Sequence, residues 1–85
     1  GLIHIYPNPS AGDLSIYVET GLEEVLEADI RFTDLSGRLI NGLKVSVKDR
    51  AVISLAEHGI SLPSGVFLCQ VTVAGSTETE KVIIR

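Results

Sequence analysis

Apolar and polar side chains alternate along most of this chain, with a period of two residues. The alternation is clearest in four stretches, at positions 14–18, 28–32, 43–47 and 67–73. A period of two places the apolar side chains on one face of a strand, whereas the pattern of a helix repeats about every 3.6 residues. Three shorter stretches of the same kind are Leu2–Tyr6, Val52–Leu55 and Glu78–Ile84. The pattern therefore predicts about seven strands.

Turn-forming residues separate these strands. Pro7–Gly12, Asp34–Gly37 and Leu62–Gly65 each combine proline, glycine or short polar residues that interrupt a β-ladder. The second of these suits a type I turn that ends with Gly37 in the left-handed region. Leu22–Glu27 is the best helix candidate, but it is too short to stand alone, so we expect a loop or a single turn there. Strand and turn spacing of about 8–12 residues is typical of an immunoglobulin-like antiparallel β-sandwich, so we predict an all-β single domain over residues 1–85.

Composition narrows the function further. The chain has 85 residues, of which 45% are hydrophobic and 21% charged, and this balance excludes intrinsic disorder. Its net charge of −4 argues against a nucleic-acid partner, which needs a basic footprint. A single cysteine excludes an internal disulfide. Cys69 alternates with Phe67 and Val71, so we expect a buried, unreactive thiol. We see no export signal at the start of the chain; if the protein is exported, we expect the signal in a longer precursor or an address elsewhere in the chain.

The residues that could carry catalysis do not form a recognisable set. No G-x-S-x-G motif frames a serine, and nothing in the pattern brings His4 and His58 together. Glu23, Glu24 and Glu27 cluster without the spacing of a calcium-binding loop, so we expect a solvated acidic segment, although calcium on a surface loop stays open. We therefore predict no enzymatic activity and no cofactor.

Two non-catalytic alternatives remain open at this point. An adhesive or carbohydrate-binding module would use exposed aromatic rings, and Tyr6 and Tyr17 are the candidates because Phe32 and Phe67 lie on core-facing positions. A structural spacer domain would tolerate changes across its whole surface. A tyrosine on a strand surface is ordinary, so neither alternative gains much from the pattern alone.

Three sequence signatures occur in order and carry more information. They are Ile5-Tyr6-Pro7-Asn8-Pro9 followed by Asp13-Leu14-Ser15-Ile16; then Thr33-Asp34-Leu35-Ser36-Gly37-Arg38-Leu39-Ile40; and then Ile53-Ser54-Leu55 with Leu62-Pro63-Ser64-Gly65-Val66-Phe67-Leu68, ending in Lys81-Val82-Ile83-Ile84-Arg85. In this order and spacing, the chain resembles the C-terminal sorting domain of proteins exported by the type IX (Por) secretion system of Bacteroidetes. It departs from the usual pattern by having Phe67 where tyrosine is common and fewer lysines in the last strand.

The resemblance implies a domain that directs the transport of its precursor and catalyses no reaction. Such a domain follows an N-terminal cargo domain in a precursor that enters the periplasm by an N-terminal signal. Components of the type IX outer-membrane translocon then recognise it, and a sortase-like cysteine peptidase removes it and can attach the cargo to the cell surface. The cargo would end at the outer-membrane surface or outside the cell. The family motifs fall on the turn Pro7, Asn8 and Pro9, the hairpin residues Asp34, Gly37 and Arg38, and the strand start Gly65 and Phe67.

The terminal strand is the candidate for translocon recognition. Alternation points Val82 and Ile84 inward and leaves Lys81, Ile83 and Arg85 on the other face. We therefore expect two cations and an exposed isoleucine on a sheet edge with unpaired backbone groups, a surface suited to strand addition. An alternative role for Lys81 and Arg85 is to protect the edge against aggregation, and the two roles are compatible. A strand-exchange dimer is an option for the isolated fragment.

Overall fold

The structure is a computed structural model that describes residues 2–85. Its strands are β1 (Leu2–Tyr6), β2 (Ser15–Glu19), β3 (Val25–Asp34), β4 (Leu39–Lys48), β5 (Arg50–Ser54), β6 (Gly65–Val73) and β7 (Ser76–Ile84). A short 3₁₀ turn at Ala56–His58 connects β5 to β6 on the way back across the domain. The seven-strand, all-β prediction is confirmed.

The strands form two antiparallel sheets. One has the order β1-β2-β5 and the other the order β4-β3-β6-β7. This is the pairing of an immunoglobulin-like sandwich in which an extra strand, here β4, extends the sheet that contains the last two strands. The chain changes sheet after β2, after β4 and after β5, so each sheet is built from segments that are distant in sequence.

The core lies between the two sheets and follows the alternating pattern. Each strand turns every second side chain inward, and most of the buried ones are β-branched, leucine or aromatic. The largest fully buried side chains are Phe32, Leu14, Ile16, Ile30, Leu55, Val18, Val47, Val82 and Cys69. The expected core positions of Phe32, Phe67 and Cys69 are confirmed, since all three are buried.

The segment Leu22–Glu27 differs from the prediction, because β3 already begins at Val25. Leu26 pairs with Val47, so the long hairpin between β3 and β4 continues through this segment. Thr20 closes the turn before it: its Oγ1 accepts a hydrogen bond from the Leu22 N–H at 3.2 Å. Cross-strand pairing overrides the weak local helix preference here, which is why the sequence pattern alone missed the strand.

Two tight turns fix the register of the four-stranded sheet. The predicted turn after β3 is confirmed: the Gly37 N–H donates to the Asp34 carbonyl at 3.0 Å, and Gly37 has φ of 91°. The turn between β6 and β7 was not predicted. It consists of Ala74 and Gly75, which both have positive φ, at 51° and 81°. Positive φ at both central residues is the geometry of a type I′ hairpin turn, which matches the twist of its strands.

Candidate functional site

The motif segments, which are far apart in sequence, meet at one end of the four-stranded sheet. We call this region the motif end and define it by Pro7–Ser10, Asp34–Leu39, Gly65–Leu68 and Lys81–Arg85. Asp34 pairs with Phe67, and Phe67 pairs with Val82, so the register places the three strand ends side by side. The antiparallel order makes this unavoidable, since the end of β3 must meet the starts of β4 and β6, and the start of β6 must meet the end of β7.

Asn8 joins the first motif to the last. Its side-chain Nδ2 donates to the Lys81 carbonyl at 2.8 Å, and its Oδ1 accepts the Ile83 N–H at 3.0 Å. A carboxamide presents N–H donors and a carbonyl acceptor in one plane, so it can pair with a strand edge as a peptide group does. The Tyr6–Pro7 and Asn8–Pro9 peptide bonds on either side are cis. Through its two hydrogen bonds, Asn8 connects the first turn to the terminal strand.

Ser10 continues the same pairing with its backbone. The Ser10 N–H donates to the Ile83 carbonyl at 2.9 Å, and the Arg85 N–H donates to the Ser10 carbonyl at 2.8 Å, which makes a short parallel bridge. Ser10 is buried, and its hydroxyl donates to the Asp13 carbonyl at 2.7 Å. We call Asn8–Ser10 the strap, because these residues cover the outer edge of β7 from Lys81 to Arg85.

The strap corrects two expectations about the terminal strand. The backbone of residues 81–85 is paired on its outer side, so the predicted free edge for strand addition is wrong for this half of β7. Ile83, expected to be exposed, is half-buried. The edge is paired because the Asn8 side-chain amide and the Ser10 backbone take the place of a neighbouring strand, and hydrophobic periodicity carries no signal for that.

The other half of β7 is protected differently. The backbone groups of Thr77 and Thr79 point to the outer side by strand alternation, and no pairing with them occurs within residues 2–85. Glu78 and Glu80 pair with the buried residues Val71 and Cys69, so their side chains lie on the inner face of the sheet. Inward-pointing charges on an edge strand discourage the addition of another chain, because they would be desolvated by it.

The Asp34 motif serves the hairpin turn. Asp34 Oδ1 accepts hydrogen bonds from the Ser36 N–H at 2.9 Å and the Arg38 N–H at 3.0 Å, and also from the Ser36 hydroxyl. Oδ2 lies 3.3 Å from Arg38 Nε. The hydrogen bond from the Ser36 hydroxyl, with those from the backbone, lowers the pKa of the Asp34 carboxyl. The carboxylate is thus occupied by its own turn, while the Arg38 side chain stays 78% exposed.

Gly65 and Phe67 form a matched pair at the start of β6. Gly65 has φ of 150°, which side chains rarely adopt. A Cβ at this position would lie 3.3 Å from Phe67 Cζ, so the aromatic ring occupies the space that a side chain at residue 65 would need. Phe67 is buried against the core, so both motif residues organise the strand rather than present a binding group.

Lys81 and Arg85 are the motif residues that face solvent with free charge. Both side chains are exposed, and within residues 2–85 neither takes part in an ion pair. Val82 and Ile84, which alternate with them, are 0% and 4% exposed, so the predicted inward orientation of these two is confirmed. The motif end therefore presents two exposed cations on a strand whose alternate side chains, Val82 and Ile84, are buried in the core.

Side chains with other chemical potential are elsewhere or already engaged. Burial, with a smaller contribution from Glu80, raises the pKa of the Cys69 thiol to about 12, so it stays protonated at neutral pH. The Tyr17 hydroxyl donates to Glu19, and this bond, with some burial, raises the tyrosine pKa. Tyr17 is half-buried and Tyr6 is 40% exposed, with its ring 5.9 Å from that of His4.

Across residues 2–85, no group of three histidine, cysteine or acidic side chains is placed to hold a metal ion. Over the same range, no helix has the length and apolar character needed to cross a bilayer.

The comparison with known families agrees with the motifs. The model of the secretion system C-terminal sorting domain family matches residues 4–85. No curated protein matches the chain. Because the match covers nearly the whole chain, this protein belongs to the family of type IX secretion C-terminal sorting domains. It is a C-terminal secretion signal, and its family implies export by type IX secretion, interaction with that machinery and an N-terminal cargo domain.

Proposed function

We propose that this domain ends a longer secreted precursor and is read in the periplasm by the type IX outer-membrane translocon through its terminal strand, Lys81–Arg85. After passage, a sortase-like cysteine peptidase removes the domain on the cargo side of β1 and can attach the cargo to the cell surface. The domain itself supplies shape and charge and performs no reaction.

The observation that carries this proposal is the convergence at the motif end. Four segments spread over the chain meet there, and the strap holds the terminal strand in one position. Lys81 and Arg85 project from that strand as exposed cations without ion-pair partners among the described residues. A signal that is recognised after folding must be a fixed surface, and this arrangement supplies one.

The test is export of a reporter fused to the N-terminal side of this chain, in a host with type IX secretion. The double variant Lys81→Ala, Arg85→Ala should keep its Tm, because both side chains are exposed, while the reporter accumulates in the periplasm. Deleting Lys81–Arg85 would not isolate recognition, since the deletion would also remove the buried Val82 and Ile84.

The matched control is Lys48→Ala with Arg50→Ala, which removes two exposed cations at the opposite end of the sandwich. Export of the control with loss of export in the Lys81, Arg85 variant supports the proposal. Normal export of both variants would refute recognition through the terminal strand. Removal by the peptidase is tested by mass spectrometry of the exported reporter, which should end before Leu2; a reporter that keeps the domain contradicts that step.

A further inference from the structure

Positive charge is concentrated on the outer face of the four-stranded sheet. Register and exposure place Arg31, Lys44, Lys48 and Lys81 on this face, with Arg38 and Arg85 at the motif end. These are six of the seven Lys and Arg residues, and the carboxylates among them are those of Glu27, Asp29 and Asp34. The region therefore carries about +3, and the rest of a chain whose net charge is −4 carries about −7.

The same face has an apolar centre. Leu39 is 56% exposed and Val66 is 38% exposed, and the half-buried Leu68 and Ile83 lie between them and Lys81 in the sheet register. All four belong to the motif segments, yet they point away from the core. We call this combination, Leu39, Val66, Leu68 and Ile83 with Arg31, Lys44 and Lys81 around them, the cationic face.

A shallow depression shapes one side of the cationic face. It lies over Gly42 and is bordered by Arg31, Leu39 and Lys44. A side chain at Gly42 would be crowded, since its Cβ would lie 3.2 Å from the Ile30 carbonyl oxygen. An exposed leucine beside a depression, with cations on both sides, provides both a projection and a recess for a partner.

We propose that the cationic face docks onto one protein of the export machinery, at a surface where acidic side chains surround an apolar patch. This rests on the proposed function and names the chemistry of the partner. Charge complementarity selects an acidic partner, because the cationic face is the positive region of an otherwise acidic domain. An apolar centre within a charged rim is the anatomy of a protein interface.

Two features favour a protein over a lipid surface as the partner. Leu68 and Ile83 are half-buried in the sheet, so they cannot enter an acyl layer as the apolar face of a membrane-binding helix does. Asp29 lies within the face, 3.6 Å from Arg31, and its carboxylate would be repelled by an anionic lipid surface. A partner protein can provide a group opposite Asp29, which a uniform anionic surface cannot.

Lys44 offers a test that is independent of the terminal strand. Its side chain is exposed, it has no ion pair among residues 2–85, and it borders the depression. Arg50 is the matched control: it is an exposed cation on an edge strand of the other sheet, and its contact with Asp49 is long, at 3.9 Å. Lys44→Glu and Arg50→Glu change the net charge by the same amount on opposite sheets.

The experiment measures export of the fused reporter and the Tm of each purified variant. We expect Lys44→Glu to lower the exported fraction by about fivefold or more, while Arg50→Glu stays within about twofold of the unchanged chain. Lys44→Arg should restore export. If Lys44→Glu lowers the Tm because it faces Asp29 across the β3–β4 pair, Lys44→Gln repeats the test without the repulsion.

The outcomes separate this inference from the proposed function. If Lys44→Glu and Lys44→Gln export normally while the Lys81, Arg85 variant does not, the proposed function stands and the docking face is overturned. If the unchanged chain does not direct export at all, both are overturned. Equal loss in the Lys44 and Arg50 variants also overturns the docking face, since it would show sensitivity to net charge alone.

Two further arms identify the partner's chemistry. Suppressors that restore export to Lys44→Glu should replace acidic residues of one export component with neutral or basic ones; suppressors confined to this chain contradict the inference. The lipid alternative is tested with mixed phosphatidylglycerol and phosphatidylcholine vesicles. Sedimentation of the unchanged domain with these vesicles, lost in Lys44→Glu but not in Arg50→Glu, would assign the face to a membrane and overturn a protein partner.

Discussion

Asn8 should stabilise the terminal strand directly, and replacing it with alanine tests this. In the folded domain its amide makes two hydrogen bonds to the backbone of β7, at 2.8 Å to the Lys81 carbonyl and 3.0 Å from the Ile83 N–H. Asn8→Ala removes both bonds and leaves the Ser10 bridge in place. The substitution does not touch the core, because Asn8 is exposed.

The size of the effect follows from those two bonds. A hydrogen bond contributes about 0.5–1.5 kcal/mol net, and exposed groups that lose a partner can bind water instead. We therefore expect Asn8→Ala to lower the free energy of unfolding by about 1–2 kcal/mol, towards the lower value. In a domain of this length a change of 1 kcal/mol shifts the Tm by about 4–8 °C.

Urea unfolding gives the free energy, and NMR-detected hydrogen exchange shows where the loss occurs. The Ile83 amide should exchange faster in Asn8→Ala, whereas the outward amides of Thr77 and Thr79 exchange rapidly in both proteins and serve as the reference. Asn8→Asp is the matched control: it keeps an acceptor for the Ile83 N–H but faces the Lys81 carbonyl with a second oxygen. Ile83 should then stay protected while stability still falls. An unchanged Tm together with unchanged exchange at Ile83 in Asn8→Ala would refute this role of the strap.

The other predictions concern the β6–β7 turn, the start of β6 and the buried thiol. Ala74→Asn should raise the free energy of unfolding by about 0.5–1 kcal/mol in urea titrations, because asparagine tolerates the positive φ of 51° at this turn better than alanine does; a lower value contradicts the type I′ assignment. Gly65→Ala should lower it by about 1–3 kcal/mol, since the new Cβ would meet the Phe67 ring at a φ of 150°, and a neutral result by the same assay would sink this explanation. The Cys69 thiol, with its pKa raised to about 12, should not react with DTNB at pH 8 until urea is added. Burial disfavours the thiolate, so the contribution of the buried thiol to the free energy of unfolding is complete below the unfolded pKa of about 8.5. That contribution is lost as the pH rises towards the folded value. Cys69→Ala should lack this component, and identical pH profiles of unfolding for the two proteins would contradict it.

Much of the fold could be predicted because burial in a two-layer sandwich repeats every second residue. The positions of Ile16, Ile30 and Val71 on inward faces follow from alternation alone, and glycine identifies the turn at Gly37. The start of β3 could not be predicted in this way. Val25 is exposed and follows an acidic segment, and its strand conformation depends on pairing with Lys48, which is distant in sequence.

The motif end could be predicted only in part. Alternation indicated that Val82 and Ile84 point inward, and the family pattern indicated which segments matter. What the pattern could not show is that Asn8 lies against the terminal strand, because a side chain that replaces a strand has no periodic signature. The outward grouping of Leu39 with Lys44 also needed the register of β4, which contains an irregularity between Phe32 and Thr33 on its partner strand.

The strap also determines which backbone cleavages leave the terminal strand covered. If a peptidase removes the domain by cleaving ahead of Leu2, as proposed above, Asn8 and Ser10 stay hydrogen-bonded to β7, so the strand from Lys81 to Arg85 remains covered. Cleavage between Ser10 and Leu14 would separate the strap from β2. If the N-terminal fragment then dissociated, the edge of β7 would be exposed to pairing with another chain. Domains released by cleavage ahead of Leu2 should therefore stay monomeric, whereas domains cleaved between Ser10 and Leu14 should aggregate.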